Sequence, residues 1–411
     1  MAKCGFFSTA KPKETTAMHG LQLLHKIISR SCSKIHANRL SSLMDATRGL
    51  LVCNKLTLVH IGRHLSGSAL IKNRIKKCDR LVGNNHLYRE LGIVYKALST
   101  SLINPYSRPI ILVDWSGVTH CGAFHMIRAS IPVEGRTLTI YEEVYPENKK
   151  DSPKANKIFL KNLAKVLPVG CRPVIVTDAG FRNPWFKEVQ KMGWNFIGRV
   201  RNETQVCKVS QNSWKSCKEL YKKATLKAQY LGEYWLAKSN PIFCKMFLIK
   251  SRRKYREKKN LRGHKVRCSS SLKHAKRNKE PWLIATSIAT VSAKKIIKIY
   301  KLRMSIEQGF RDIKNYRHGF CFRETRSTTV KRLSILLLIG ALATFIVCIY
   351  GHACQLLKMQ YQYQTNSIKH RKVLSWFFLG AFSIKQNNNF TQSIILSTLN
   401  NKIVLGVHYY G

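Results

Sequence analysis

Two aspartates stand where an α/β sheet would bring them together. Asp114 follows the β-branched run that begins at residue 108, and Asp178 follows a second such run that begins at residue 172, in a chain with six aspartates. Such runs are typical of buried strands, and functional groups in α/β proteins gather at the carboxyl ends of strands. Two close carboxylates repel each other unless they share a cation, which favours a Mg²⁺ or Mn²⁺ site. The alternative is that each aspartate caps a turn.

A third acid, Glu307, lies in the segment 299–315, which has the pattern of a helix within 291–316. At 100° per residue, a stripe about 80° wide holds this acid together with a phenol and three cations. The members of the stripe are Tyr300, Arg303, Glu307, Arg311 and Lys314. One acid among phosphate-binding donors fits a metal ligand beside DNA. The alternative is a face of i,i+4 salt bridges, which does not explain the length of the stripe.

The order of elements indicates an α/β domain. Strand patterns occupy 108–116, 123–133, 136–145, 172–181 and 194–201, and helix patterns occupy 154–167 and 184–193. Glu134 and Gly135 predict a hairpin turn between the second and third strands. The order β-β-β-α-β-α-β predicts a mixed sheet.

The charge of the chain points to nucleic acid. The sequence has 72 Lys and Arg against 20 Asp and Glu, which gives a formal net charge of +52. Its hydrophobic content of 45% argues against a disordered chain. Such an excess favours an anionic partner, and counterion release rewards each phosphate contact. Residues 250–279 alone hold fourteen Lys or Arg, which predicts a basic arm in a β-rich insertion. A basic structural protein, such as a ribosomal one, is the alternative.

A helix-turn-helix pattern precedes the α/β region. Two helical segments, 57–65 and 69–82, flank a turn at residues 66–68. The second segment carries cations suited to DNA phosphates. These cations are Lys72, Arg74, Lys76, Lys77 and Arg80. Arg199 and Arg201 end a predicted strand near the second acid, where they either contact DNA or form surface ion pairs. An ordinary basic helical hairpin is the alternative for 57–82.

One segment is apolar enough to suggest a membrane-spanning helix. Residues 333–350 are almost wholly apolar and would span about 27 Å as a helix, close to the thickness of a membrane core. The alternative is a helix buried in a large core. The thirteen cysteines include no CxxC pair, so we expect neither a zinc site nor disulfides, and residues 1–20 lack the apolar core of a secretory signal.

Three motifs together resemble a known family. Tyr300, Arg303, Glu307 and Lys314 match the YREK signature, Y-(2)-R-(3)-E-(6)-K, of the DDE cut-and-paste transposases of bacterial insertion sequences. VDWS (113–116) and TDAGF (177–181) resemble the segments that hold the first and second catalytic aspartates of that family. The chain from about 25 to 405 is similar to the transposase of the tetracycline-resistance transposon.

The resemblance implies a fold and a chemistry. It implies an α/β fold: a ribonuclease H-like mixed-sheet core with a β-rich insertion, and an N-terminal all-helical DNA-binding domain. Asp114, Asp178 and Glu307 would be the catalytic and metal-binding triad, holding two Mg²⁺ ions, with Mn²⁺ as an alternative. Trp282 would stack on a flipped base, or else is a core tryptophan. The apolar helix would be interior.

The same resemblance implies partners and a location. The partners would be double-stranded DNA, as transposon ends and target, and a second copy of the chain, in a cytoplasmic, nucleoid-associated bacterial protein. Cleavage would pass through hairpin intermediates before 3′-OH ends join the target. Three rival interpretations stay open: another ribonuclease H-like nuclease, a catalytically inactive DNA-binding relic, and a membrane protein.

The domain division follows the changes of pattern along the chain. We expect a flexible tail (1–20), a helical DNA-binding domain (21–105), the first part of the core (106–201), the insertion with its basic arm (202–285), the rest of the core (286–350) and a C-terminal helical region (351–411).

Overall fold

A computed structural model describes residues 17–250, 264, 269, 280–317, 319–368, 370–386, 388 and 390–400. The strands are β1 (Ile110–Gly117), β2 (Phe124–Val133), β3 (Arg136–Pro146), β4 (Val174–Thr177), β5 (Asn195–Val200), β6 (Gln205–Lys208), β7 (Trp214–Ser216), β8 (Gln229–Leu236), β9 (Ile242–Ile249) and β10 (Trp282–Thr286). The helices are α1 (Met18–Ser31), α2 (Ala37–Cys53), α3 (Leu58–Arg63), α4 (Ile71–Val82), α5 (Asn85–Leu102), α6 (Pro153–Val166), α7 (Asn183–Lys191), α8 (Cys217–Leu220), α9 (Ala293–Leu302), α10 (Met304–Lys314), α11 (Val330–Leu356), α12 (Gln360–Tyr363), α13 (Trp376–Lys385) and α14 (Gln392–Asn400). Most of the basic arm and of the tail lie outside the described residues.

Strands β1 to β5 form a mixed sheet in the order β3-β2-β1-β4-β5. Strand β1 is antiparallel to β2 and parallel to β4, and β4 is parallel to β5. Helices α6 and α7 provide the connections on either side of β4, as parallel strands require. The predicted order β-β-β-α-β-α-β is confirmed, and this arrangement is consistent with a ribonuclease H-like core.

The insertion continues the core sheet. Strand β10 pairs antiparallel with β5 on one side and with β9 on the other. Beyond β9 the order runs β8-β6-β7, so that ten strands in the described residues form one sheet. The side chains of the insertion therefore lie on the same two faces as those of the core.

Five helices, α1 to α5, precede the sheet. The Thr57 hydroxyl caps α3 by accepting from the backbone N–H of His60. Helices α3 and α4 cross closely at Gly62, where an added Cβ would lie 2.7 Å from Cα of Ile75. The two helices of the predicted helix-turn-helix are thus present.

Helix α11 is buried in the core of the protein. Among the described residues it is the one helix long and apolar enough to cross a membrane, and its apolar window is wholly buried inside the protein. Helices α2, α5 and α13 and strand β3 pack around it. Its crossing with α13 is close, because added Cβ atoms at Gly351 and Gly380 would meet backbone atoms of the opposing helix. Burial at this density is expected of a core helix.

Two expectations about local structure are wrong. The helix predicted over 291–316 is two helices, α9 and α10, which meet at Arg303. Asp114 lies inside β1 rather than at its end, because β1 continues beside β2 as far as Gly117. The pairing of β1 with β4 ends at Leu112, so Asp114 lies just past the parallel part of the sheet. The domain division itself stays a prediction.

Candidate active site

Asp114 and Asp178 lie at one edge of the parallel strands. Leu112 pairs with Val176, and the two aspartates each lie two residues further along. Burial and the negative charge of Asp178 together raise the pKa of Asp114 to about 7, against the positive charge of Arg303. The Asp178 carboxylate accepts a hydrogen bond from the backbone N–H of Gly180 at 2.8 Å. The Asp178 carboxylate is thus close enough to disfavour ionisation of Asp114.

Glu307 joins these acids through a shared cation. One terminal nitrogen of Arg303 donates to the Glu307 carboxylate at 2.6 Å, and the other lies 3.4 Å from the Asp114 carboxylate. The Arg303 guanidinium is largely buried, whereas the Glu307 side chain is partly exposed. The positively charged side chain of Arg303 therefore bridges two of the three acids, Asp114 and Glu307.

The junction of α9 and α10 places Arg303 there. Its backbone is helical, with φ −52° and ψ −34°, but it ends one helix and begins the next. Its neighbour Tyr300 is buried in α9, and Glu307 lies in the first turn of α10. The stripe expected from spacing differs in exposure along its length, because Tyr300 and Arg303 are buried whereas Arg311 is exposed, and the role of its members stays a prediction.

Lys314 approaches the acids from the far end of α10. Its ammonium donates to the hydroxyl of Ser116, two residues beyond Asp114 on β1. It also lies 5.2 Å from the centre of the Phe310 ring. Burial, together with the positive charges of Arg128 and Arg323, lowers the pKa of Lys314 to about 7.

A buried ion pair beneath α10 was missed by the sequence analysis. Arg128 on β2 stands directly opposite Asp114 on one side and Glu142 of β3 on the other. Its guanidinium donates to Glu142 at 2.6 and 2.7 Å, and the hydroxyl of Tyr95 on α5 donates to the same carboxylate at 2.9 Å. The guanidinium also lies 5.2 Å from the centre of the Phe310 ring. One arginine within the apolar run 123–133 was the available signal.

An aromatic and cationic group lies on the other side of Arg303. The rings of Trp282 and Tyr300 meet edge to face with centroids 5.2 Å apart. Arg199 donates to the carbonyls of Glu280 and Pro281 at 3.5 and 3.4 Å, and Arg201 forms an ion pair with Glu280 at 2.5 Å. In the described part of the chain, Nε of Arg199 and Nε of Arg303 are buried without an acceptor. Buried donors without acceptors are costly.

The cations of α4 divide into two groups. Arg74 donates to the carbonyl of Leu65 at 2.9 Å, and Lys77 forms an ion pair with Asp45 at 3.2 Å. Lys72, Lys76 and Arg80 are exposed. Their role in DNA binding stays a prediction.

The three acids do not converge into a closed metal cage. Within the described residues, no group of three His, Cys, Asp or Glu side chains is arranged to hold a metal ion. The donor set is nonetheless all oxygen, which suits hard divalent cations. The mutual repulsion of Asp114 and Asp178 is the kind that a shared cation relieves.

A ribonuclease H-like sheet with carboxylates at the edge of its parallel strands defines a metal-dependent class of enzymes that process nucleic acids. The family model described as Transposase DDE domain matches residues 105–345, and the chain belongs to this family. It is therefore a transposase whose substrate is DNA, in a family that uses divalent metal ions and whose members are typically soluble and cytoplasmic. No match was found among curated proteins.

Proposed function

We propose that this chain is a cut-and-paste transposase of the YREK type, similar to the transposase of the tetracycline-resistance transposon. It would bind terminal inverted repeats, cleave at the transposon ends through hairpin intermediates and transfer 3′-OH ends into target DNA. The observation that carries the proposal is the bridge of Arg303 between Asp114 and Glu307, with Asp178 beside Asp114. This bridge links the sheet edge to the helix that holds the third acid.

The triad would be Asp114, Asp178 and Glu307. Two Mg²⁺ ions, or Mn²⁺, would supply activation of the attacking oxygen and stabilisation of the leaving oxygen when bound. Asp114 and Asp178 fit such ions because their carboxylates already repel each other. Glu307 forms an ion pair with Arg303 in this structure. Binding of metal and DNA would therefore change the contacts of this arginine.

The cations around the triad would hold DNA phosphates. The buried Nε donors of Arg199 and Arg303, which have no acceptor among the described residues, would each gain one from a phosphate oxygen. Lys314 would become protonated when a phosphate approaches it. Tyr300, Arg311 and Arg201 would support the same strand, and Trp282 would stack on a flipped base.

The helical region before the sheet would bind the ends of the element as duplex DNA. Helices α3 and α4 have the order of a helix-turn-helix, and Lys72, Lys76 and Arg80 on α4 face solvent. Two copies of the chain would act together, each on one transposon end. The burial of the apolar helix α11 inside the protein supports a role away from membranes.

Cleavage of DNA that carries the element's own ends tests the proposal. In Mg²⁺, the wild-type chain should nick the ends, form hairpins and join 3′-OH ends to a target. Asp114→Asn, Asp178→Asn or Glu307→Gln should reduce cleavage by at least about a thousandfold, since each removes charge that stabilises the transition state. Binding to end DNA, measured by mobility shift, should persist.

Glu203→Gln is the matched control, because Glu203 is an exposed acid of the insertion paired with Lys218. Its cleavage should equal that of the wild type. Normal cleavage by any triad variant would refute the assignment of that residue. Cleavage without strand transfer would instead identify a ribonuclease H-like nuclease of another kind.

A further inference from the structure

The register of the sheet places the acids and the insertion on one face. Residues directly opposite each other in neighbouring strands point to the same side. The pairs Leu112–Val176, Val176–Ile197 and Ile197–Thr286 lead from β1 across to β10. The pairs of Thr286 with Lys245 and of Lys245 with Glu233 then lead to β8. By alternation, the face that carries Asp114 also carries Arg199, Trp282, Phe243 and Trp235.

At the far end of this face lies a row of aromatic side chains. Trp214 is opposite Cys207, Cys207 is opposite Trp235, and Trp235 is opposite Phe243, across four neighbouring strands. Trp235 and Phe243 are each 40% exposed, and their rings meet edge to face at 5.8 Å. We call Trp214, Trp235 and Phe243 the aromatic row.

The exposed rings of Trp235 and Phe243 indicate a surface that binds a partner. The opposite side of the same strands is buried, with Val206, Leu236 and Cys244 inaccessible. Val209 and Tyr230 lie on the same face at 47% and 50% exposure, and the ion pair of Glu233 with Lys245 separates Tyr230 from the row. Exposed apolar side chains bordered by charged ones are typical of interaction surfaces.

The chemistry of the row and its position favour DNA bases. Aromatic side chains on a sheet face stack on unpaired bases, and such stacking tolerates any base. Arg199 and Trp282 lie between the acids and the row on the same face, and the chain carries a net charge of +52. Five strand spacings of about 4.8 Å separate β1 from β8, about 24 Å, and the row is offset along β9 by four residues, about 13 Å, from the position level with Asp114. The resulting separation of about 27 Å matches about eight stacked nucleotides at about 3.4 Å.

We infer that the aromatic row is a stacking platform for unpaired bases of the DNA strand that extends from the acid cluster. This inference rests on the proposed function for the identity of that strand. It adds a contact about eight nucleotides from the site of cleavage, in the β-rich insertion.

Fluorescence anisotropy of the full chain with a fluorescein-labelled thymidine oligonucleotide of about 15 nucleotides tests the platform. The measurement is made in EDTA, so that it does not depend on cleavage. Trp235→Ala and Phe243→Ala should each raise the Kd about 5- to 100-fold, the loss expected for one stacked base. Trp235→Tyr should retain most of the affinity. An abasic oligonucleotide of equal length should bind the wild type as weakly as the normal oligonucleotide binds Trp235→Ala.

Phe378→Ala is the matched control, because Phe378 is 42% exposed on α13, outside the sheet. Its Kd should equal that of the wild type. Unchanged affinity in Trp235→Ala and Phe243→Ala, or an equal loss in Phe378→Ala, would overturn the inference. A change of oligomeric state with unchanged DNA affinity would overturn it in favour of a contact between two copies. If the row binds DNA but the wild type cleaves none, the proposed function fails and the platform stands.

Discussion

Arg303 and Lys314 place positively charged groups in the protein interior. Burial of a charge there costs free energy. Arg303 is stabilised there by two carboxylates, Asp114 and Glu307. Lys314 has a hydroxyl and a ring as partners, and burial lowers its pKa to about 7. A lysine held close to neutrality can take up a proton when a phosphate arrives. We therefore expect the free protein to be less stable than a variant with an apolar side chain at this position.

The difference in the free energy of unfolding between Lys314→Met and the wild type should depend on pH. The lysine titrates near 10.5 in the unfolded chain and at about 7 in the folded protein, so the unfolded state binds the extra proton between these values. Wild-type stability therefore rises with pH across this window, and the penalty is complete below pH 7. The stability advantage of Lys314→Met should fall by on the order of 1–4 kcal/mol between pH 6 and pH 10.

Urea unfolding at several pH values provides the measurement. Lys301→Met, which removes an exposed lysine of α9, is the control for the loss of a lysine. A difference between Lys314→Met and wild type that stays constant with pH would contradict the lowered pKa of Lys314.

Sequence alone identified Asp114 and Asp178 as a pair, because strand patterns and strand ends are local signals. It did not find Arg128 and Glu142, whose meaning depends on the register of three strands. A charged residue inside an apolar strand was visible. Its partner was not, because residues 128 and 142 meet only when the hairpin between them is formed.

At the scale of elements, tight helix crossings decide local geometry. Helix α3 is short, and its contact with α4 depends on the absence of a side chain at Gly62. The break between α9 and α10 lies at Arg303, whose side chain contacts Asp114 on β1. Helical periodicity cannot show such a break, because the spacing of residues is the same on both sides of it.

Gly62→Ala should separate α3 from α4. The added Cβ would press on backbone Cα of Ile75, so we expect a loss of about 1–3 kcal/mol in stability and weaker binding to end DNA. Gly92→Ala is the matched control, because Gly92 lies within α5 with no atom near its missing side chain. It should stabilise the protein by about 0.5–1 kcal/mol. Thermal melting compares the two, and similar shifts in both variants would refute the close crossing.

The exposed cations of α4 should control the salt dependence of DNA binding. Replacing Lys72, Lys76 and Arg80 by Ala should flatten the plot of log affinity against log salt by about 0.9 for each DNA phosphate that the variant no longer neutralises. Arg74→Ala should leave the slope unchanged and lower stability instead, since Arg74 donates to the Leu65 carbonyl. An unchanged slope in the triple variant would place the duplex elsewhere.

For the whole molecule, the ten-stranded sheet is the unifying feature of the described residues. Sequence patterns predicted a core and an insertion as separate regions, but strand pairing is non-local and could not show that β10 joins them. The burial of residues 333–350 was expected from the family resemblance, whereas composition alone left a membrane span open. Packing by α2, α5 and α13 resolves that choice.

The crossing of α11 with α13 has a consequence for synthesis. Helix α11 is synthesised before α13, so the part of its apolar surface that α13 covers stays open until residues 376–385 have also emerged from the ribosome. A chain that ends at residue 360 should therefore pellet or enter membranes, whereas the full chain stays soluble, as fractionation would show. A soluble truncated chain would contradict this expectation. Since all three acids precede α11, late stop codons would silence such an element by making its product insoluble while its chemical groups remain encoded.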